Sequence, residues 1–215
     1  MTSYIEPLTQ ESTPSIIADK LRKAISHGEL KPGAQLGEAD LARKLGVSRG
    51  PLREGMQRLT QEGLLVPIRN RGLFVIDMTL DEIRDMYLAR EAIERTAARR
   101  IVAGDHEAAG DELLTLVRKM SDAEGDPAAV GEIDIAFHEL LVHLAGSPRL
   151  TRMHKTLITE TRMCIHALEA TYSGAEARVV EHQQIADAIR AGDHLQADDL
   201  LVAHMEDAIT RLTSR

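Results

Sequence analysis

The chain is predicted to be mainly α: three helices and a β-hairpin over residues 1–78, then an all-α helical bundle over residues 79–215. Three observations predict it. Residues 38–60, EADLARKLGVSRGPLREGMQRLT, read as two short helices joined by a tight turn. The runs LLVPI (64–68) and LFVID (73–77) flank the turn RNRG and read as a hairpin. From Thr79 the apolar pattern is helical throughout, with breaks at Gly104, Gly110, Gly125-Asp126-Pro127, Gly146 to Pro148, Gly174 and Gly192-Asp193, which gives about six helices and no strand.

Residues 1 to about 12 show little periodicity and read as a loose arm. Ile17, Leu21 and Ile25 then mark an amphipathic helix closed by Gly28. Leu41 and Leu45, spaced i, i+4, give the next helix its apolar face, and Gly46 suits the left-handed residue that ends it. Ser48 offers an N-cap hydroxyl, and Pro51 in the first turn costs little, because amides there lack intrahelical partners. On the third helix Leu52, Met56 and Leu59 face inward, while Arg49 and Arg53 lie one turn apart on a neighbouring face. Gly63 ends that helix. The whole reads as a winged helix-turn-helix. Its third helix can place arginine bidentately on guanine in a major groove, and Arg69 and Arg71 in the hairpin turn suit phosphate or the minor groove. The same pattern also fits a plain helical hairpin with a solvated cationic face.

The totals agree with two domains. Aromatic residues make up only 2% of the chain and there is no Trp, so the cores must come from Leu, Ile, Val, Ala and Met. The formal net charge is -8, but residues 1–78 hold 11 Lys and Arg against 9 Asp and Glu, or +2, leaving -10 for the rest. A mildly positive reading domain attached to an acidic one suits specific rather than indiscriminate DNA binding. The single cysteine, Cys164, excludes an intrachain disulfide and is expected in the core. With no signal segment and no apolar run near the roughly 20 residues of a membrane span, a cytoplasmic protein without membrane contact is expected.

In the second half Thr79 and Glu82 form a capping-box pattern. Asp134 and His138 lie i, i+4 on one helix face, and His182 and His204 sit on two further helices. A carboxylate and three imidazoles can hold a divalent ion, although each histidine taken singly reads equally as a surface or hydrogen-bonded residue. Arg90, in MYLAREAIE, needs an anionic partner if buried, either a bound acid or Glu94 one turn on.

The segments IADKLRKAISHGELKPGAQL, LARKLGVSRGPLREGMQRLTQEGLL and NRGLFV resemble the winged helix of the GntR family of bacterial transcription regulators. The resemblance implies operator contact by Ser48, Arg49, Gly50 and Arg53 on the recognition helix and by Gly72 in the wing, next to the Arg71 that the hairpin turn itself offers to DNA. One position departs from the pattern: members such as the fatty-acid-responsive regulator carry a DNA-contacting arginine where this chain has Ala39. Likewise DxxxH, EHxxIxxAIxxGD and AHM resemble the all-helical ligand-sensing domain of the fatty-acid-responsive branch. That resemblance implies a divalent metal (zinc, nickel or manganese) on Asp134, His138, His182 and His204. It also implies a small organic acid effector that reaches Arg90, a homodimer on palindromic double-stranded operator DNA, and repression.

His106, His143, His154, His166 and His194 match none of these positions; His143 is read as packing or surface, and His166 is placed to approach an effector. The competing reading is a metal-dependent hydrolase with an accessory winged helix. It is disfavoured because four protein ligands close a tetrahedral zinc and no glutamate is placed as a general base.

Overall fold

The computed structural model describes residues 12–123, 125–168 and 175–213, without the side chains of Pro127, His166, Ala167, Leu168, Ala175 and Thr213. The expected N-terminal arm (residues 1–11), the expected break at Gly174 and the placement of the His166 side chain lie outside these. The chain divides after Asp77 into two compact units.

The first unit begins with α1 (Thr13–Ser26), capped by the Ser12 hydroxyl, with Pro14 in its first turn, where its missing N–H costs nothing. Ile17, Ala18, Leu21 and Ile25 bury its inner face. After β1 (Gln35–Leu36) come α2 (Glu38–Leu45) and α3 (Arg49–Gln61). Gly46 ends α2 in the left-handed conformation at φ 65°, as its position predicts. Ser48 occupies the N-cap position of α3, but its side chain makes no capping hydrogen bond, which corrects the expectation for its hydroxyl. Leu52, Met56 and Leu59 pack α3 against α1. The helices meet so closely at Gly55 that a Cβ there would lie 2.9 Å from Ile17 Cγ2. Arg22 clamps the far end, its guanidinium donating to both carboxylate oxygens of Glu62 at 2.8 and 3.0 Å.

The wing is β2 (Leu65–Ile68) and β3 (Gly72–Val75), paired antiparallel with Leu65 opposite Val75. Asn70 takes the positive φ of the turn. The sheet has one strand more than the sequence predicts: β1 pairs antiparallel with β3, giving the order β1-β3-β2. Two residues are too short a run for alternation to reveal.

The second unit is helical among the described residues: α4 (Leu80–Val102), α5 (His106–Asp122), α6 (Pro127–Leu144), α7 (Pro148–Leu168), α8 (Ala175–Arg190) and α9 (His194–Thr213). Thr79 and Glu82 form the expected capping box at the start of α4. The core gathers Ile93, Ala97 and Ile101 of α4, Leu113 and Val117 of α5, Phe137 and Leu141 of α6, Ile185 and Ile189 of α8, and Leu201 of α9. Each of these side chains larger than alanine contributes roughly 1.5–3 kcal/mol by leaving water. A smaller cluster buries Cys164 with Met86, Tyr87 and Met205. None of the helices is long and apolar enough to cross a membrane among the described residues.

Gly110 sets the approach of α5 to α8, because a Cβ there would fall 2.6 Å from the Arg190 Cα. Backbone cannot swing aside as a side-chain tip can. Gly110→Ala should therefore lower stability by about 1–3 kcal/mol through overpacking, although Ala is the better helix former by about 1 kcal/mol. Urea denaturation checks it; an unchanged or higher midpoint would show that the two helices part freely.

Candidate nucleic-acid interface and candidate metal centre

The first turn of α3 carries Ser48, Arg49 and Gly50, all exposed. Nothing within 4 Å would meet a Cβ on Gly50, so no contact inside the protein requires glycine there. Arg53 follows one turn on, its side chain 64% exposed, but its Nε donates to Glu38 Oε2 at 2.7 Å across the turn from α2. Sequence reasoning missed this partner, since only the packing of α2 against α3 brings the two together. In the wing the Arg71 guanidinium lies over the Phe74 ring, 5.1 Å from its centroid. Gly72 opens β3 at φ 102°, a conformation that glycine adopts without strain. The Gln35 side-chain amide donates to the Arg71 carbonyl and so ties β1 to the wing turn.

In the second unit the fold brings Asp134, His138, His182 and His204 together, all buried, with one potential ligand atom from each within 4.8 Å of every other. Asp134 and His138 come from α6, His182 from α8 and His204 from α9. The three imidazoles are held alike. His138 Nδ1 lies 2.7 Å from Glu94 Oε2, His182 Nδ1 2.8 Å from the Arg178 carbonyl, and His204 Nδ1 2.9 Å from Glu181 Oε2. A carboxylate or a carbonyl can only accept, so each Nδ1 carries the proton and each Nε2 turns a lone pair inward.

The Nε2 atoms of His182 and His204 lie 3.3 and 3.2 Å from that of His138, and His182 Nε2 is 3.2 Å from Asp134 Oδ1. Three lone pairs and a carboxylate thus converge in the buried interior, an arrangement that repels itself unless a cation sits among them. Two nitrogens each about 2.0–2.1 Å from a tetrahedral zinc lie about 3.4 Å apart, close to the spacing found. The donor set therefore fits a divalent ion, and the Nδ1 acceptors are the partners that orient metal-bound imidazoles. Burial pushes His138 down to about 4 against the pull of Glu94, keeping its ring neutral at pH 7 as a ligand must be. Burial disfavours the Asp134 anion, but its close contact with His182 outweighs that and holds the carboxyl well below its usual range.

Arg90 is fully buried and paired with Glu94, Nε to Oε1 at 2.9 Å, the internal alternative to an effector contact. Its Nη1 donates to the Thr161 hydroxyl at 3.2 Å, while Nη2 has no partner among the described residues. Beside it a cleft of only about 10 Å³ reaches Asp134 and His204. That is room for about one water, so an organic acid would enter only if side chains moved. Glu94 also accepts from His154 Nε2 at 2.9 Å and so serves three buried donors. Sequence reasoning gave Glu94 only as a partner for Arg90 and set His154 aside. An acid i+4 from Arg90 on an apolar helix face was a usable signal for Glu94; nothing local marks His154, whose partner lies 60 residues away.

Comparison with known proteins agrees with both units. Residues 14–75 match the model of the bacterial regulatory proteins of the gntR family, and residues 85–207 match the FCD domain. The chain belongs to the GntR family. It is similar to a GntR transcriptional regulator from Rhodococcus sp. RHA1 of known structure, with 30% identity, a TM-score of 0.81, and 95% of this chain and 99% of that one covered. It is 28% identical to the HTH-type transcriptional regulator YdhC of Bacillus subtilis, over 86% of this chain and 84% of that protein. A third relative, 27% identical over 95% of this chain and 91% of its own length, is described as a D-xylose utilization operon transcriptional repressor of Paenarthrobacter nicotinovorans. The GntR match spans the winged helix, and the FCD match spans every residue of the histidine cluster and Glu94. These relatives are transcriptional regulators, not enzymes.

Glu94→Gln should remove the carboxylate paired with Arg90 and weaken the acceptor that orients His138. Leaving a buried charge uncompensated costs about 3–5 kcal/mol, and losing such an orienting carboxylate typically costs about 10–100-fold in metal affinity. Thermal melting together with zinc competition against a chromogenic chelator measures both. Unaltered zinc affinity would show that Glu94 serves Arg90 alone.

Proposed function

We propose that this GntR regulator represses transcription by binding a palindromic operator as a homodimer. Residues 1–78 would form the reading domain and residues 79–215 the effector, metal and dimerisation domain. The supporting observation on the DNA side is the exposed first turn of α3, with Arg49 and Arg53 outward and free backbone amides at its end. Glu38 engages only Nε of Arg53, and among the described residues both Nη groups lack a protein partner. That leaves the donor edge suited to guanine O6 and N7. Ser48 and Gly50 would let the phosphate backbone approach closely, and Arg71 and Gly72 would bring the wing to the adjacent groove. A winged-helix monomer covers one half-site, and a two-fold dimer matches a palindrome.

In the second domain Asp134, His138, His182 and His204 would hold a divalent metal such as zinc, nickel or manganese. When bound, the ion supplies a positive anchor that a carboxylate can ligate. The small organic acid that regulates the protein would meet that anchor, with Arg90 Nη2 as a second contact once the narrow cleft opens. Such an effector shifts DNA affinity only by favouring one arrangement of the reading domains, and DNA must then weaken acid binding by the same factor.

Arg53→Ala tests the DNA assignment. A bidentate arginine contributes about 1–3 kcal/mol of discrimination between bases, whereas a phosphate contact is blind to sequence. Operator affinity should fall by about 5–150-fold while affinity for random duplex at the same salt changes little. Equal losses on both duplexes would assign Arg53 to phosphate.

A further inference from the structure

A ligand-sized space in the second unit lies away from the histidine cluster. It lies where α6 turns into α7, a cavity of about 840 Å³ against about 10 Å³ beside Arg90. Cavities of about 300–1,000 Å³ are those that hold small molecules. We propose that this cavity is a second ligand site and that it takes an organic anion with an apolar body.

The walls state the ligand's chemistry. Leu140, Val142 and Pro148 line it with hydrocarbon, and Arg152 and Lys155 bring two cations from α7. Both cationic side chains are exposed, and neither has an acidic partner among the described residues. Glu139 is the single acid in the lining, so the positive charges are in excess. Spacing of i, i+3 puts Arg152 and Lys155 on one face of α7, where two free cations can share one carboxylate or sulfonate.

The inner wall is prebuilt. His154 lines the cavity with 2% of its surface exposed, fixed by the hydrogen bond from its Nε2 to Glu94. The Thr151 hydroxyl is tied to the Ser147 carbonyl at 3.2 Å, holding the first turn of α7 in place. An entering ligand therefore has little to order, which is what permits useful affinity from modest contacts.

Octanoate is the probe, titrated calorimetrically into the full-length protein with and without a metal chelator, with acetate as the control lacking an apolar body. One octanoate per chain should bind in both conditions, and acetate should bind at least about tenfold more weakly, the difference of about 1.4 kcal/mol that the apolar wall must exceed. The Arg152→Ala, Lys155→Ala double variant should weaken octanoate by about tenfold or more, and Thr151→Trp, which fills the space, should abolish it. All three positions are exposed, and unchanged melting curves will show that the variants fold. Because the chelator arm removes any metal anchor, this result is independent of the metal assignment proposed above. Octanoate binding that survives both variants, or that disappears with chelator, would overturn the proposal. So would an absence of saturable binding accompanied by a change of oligomeric state in Thr151→Trp, since the cavity would then be a contact between copies of the chain.

Discussion

Much of the second domain hangs on one electrostatic constraint: three imidazoles whose protons are committed outward must present three lone pairs to a common point. Glu94, the Arg178 carbonyl and Glu181 fix those protons, and acceptors and imidazoles together come from four helices, α4, α6, α8 and α9. Convergence of unprotonated nitrogens beside an ionised Asp134 is unfavourable by itself in a low-dielectric interior. The same arrangement becomes favourable with a divalent ion at its centre, so binding energy there is also energy that holds α6, α8 and α9 together. The cluster is thus a joint of the bundle as much as a site in it.

Charge balance then explains the layer behind the three imidazoles. Glu94 lies fully buried among Arg90, His138 and His154, and although burial opposes its ionisation, Arg90 and His138 hold it well below the ordinary carboxylate range. A single carboxylate therefore fixes the His138 ring, neutralises the buried guanidinium and anchors the inner wall of the cavity between α6 and α7. In the DNA-reading unit an analogous economy appears at the surface. Glu38 takes one donor of Arg53 and leaves the others, so the arginine is held in one orientation rather than sampling its rotamers freely.

Much of this was legible in the sequence, and the parts that were not share a physical reason. The helix-turn-helix, the wing and the six-helix second half follow from local periodicity and from Gly and Pro punctuation, signals contained within a few turns of chain. The four residues of the cluster were legible as well, because Asp134 and His138 share one helix face and the other two histidines sit in motifs that resemble a known domain. Strand β1 was not, since two residues carry no alternation and its partner β3 lies some 38 residues on. Glu38 with Arg53, Glu94 with His154 and the cavity at the α6–α7 turn were equally hidden, because each depends on how helices pack and not on what any one helix contains. The Ser48 hydroxyl shows the converse error, a residue type suited to capping at a position where the side chain makes no cap.

The central claim is that an ion sits among Asp134 and the three Nε2 atoms, and X-ray absorption at the zinc edge of zinc-loaded protein tests it most directly. The account predicts one zinc per chain with three imidazole scattering patterns and an oxygen shell at about 2.0–2.2 Å. Substoichiometric zinc, or a coordination shell of oxygen with no imidazole, would contradict it.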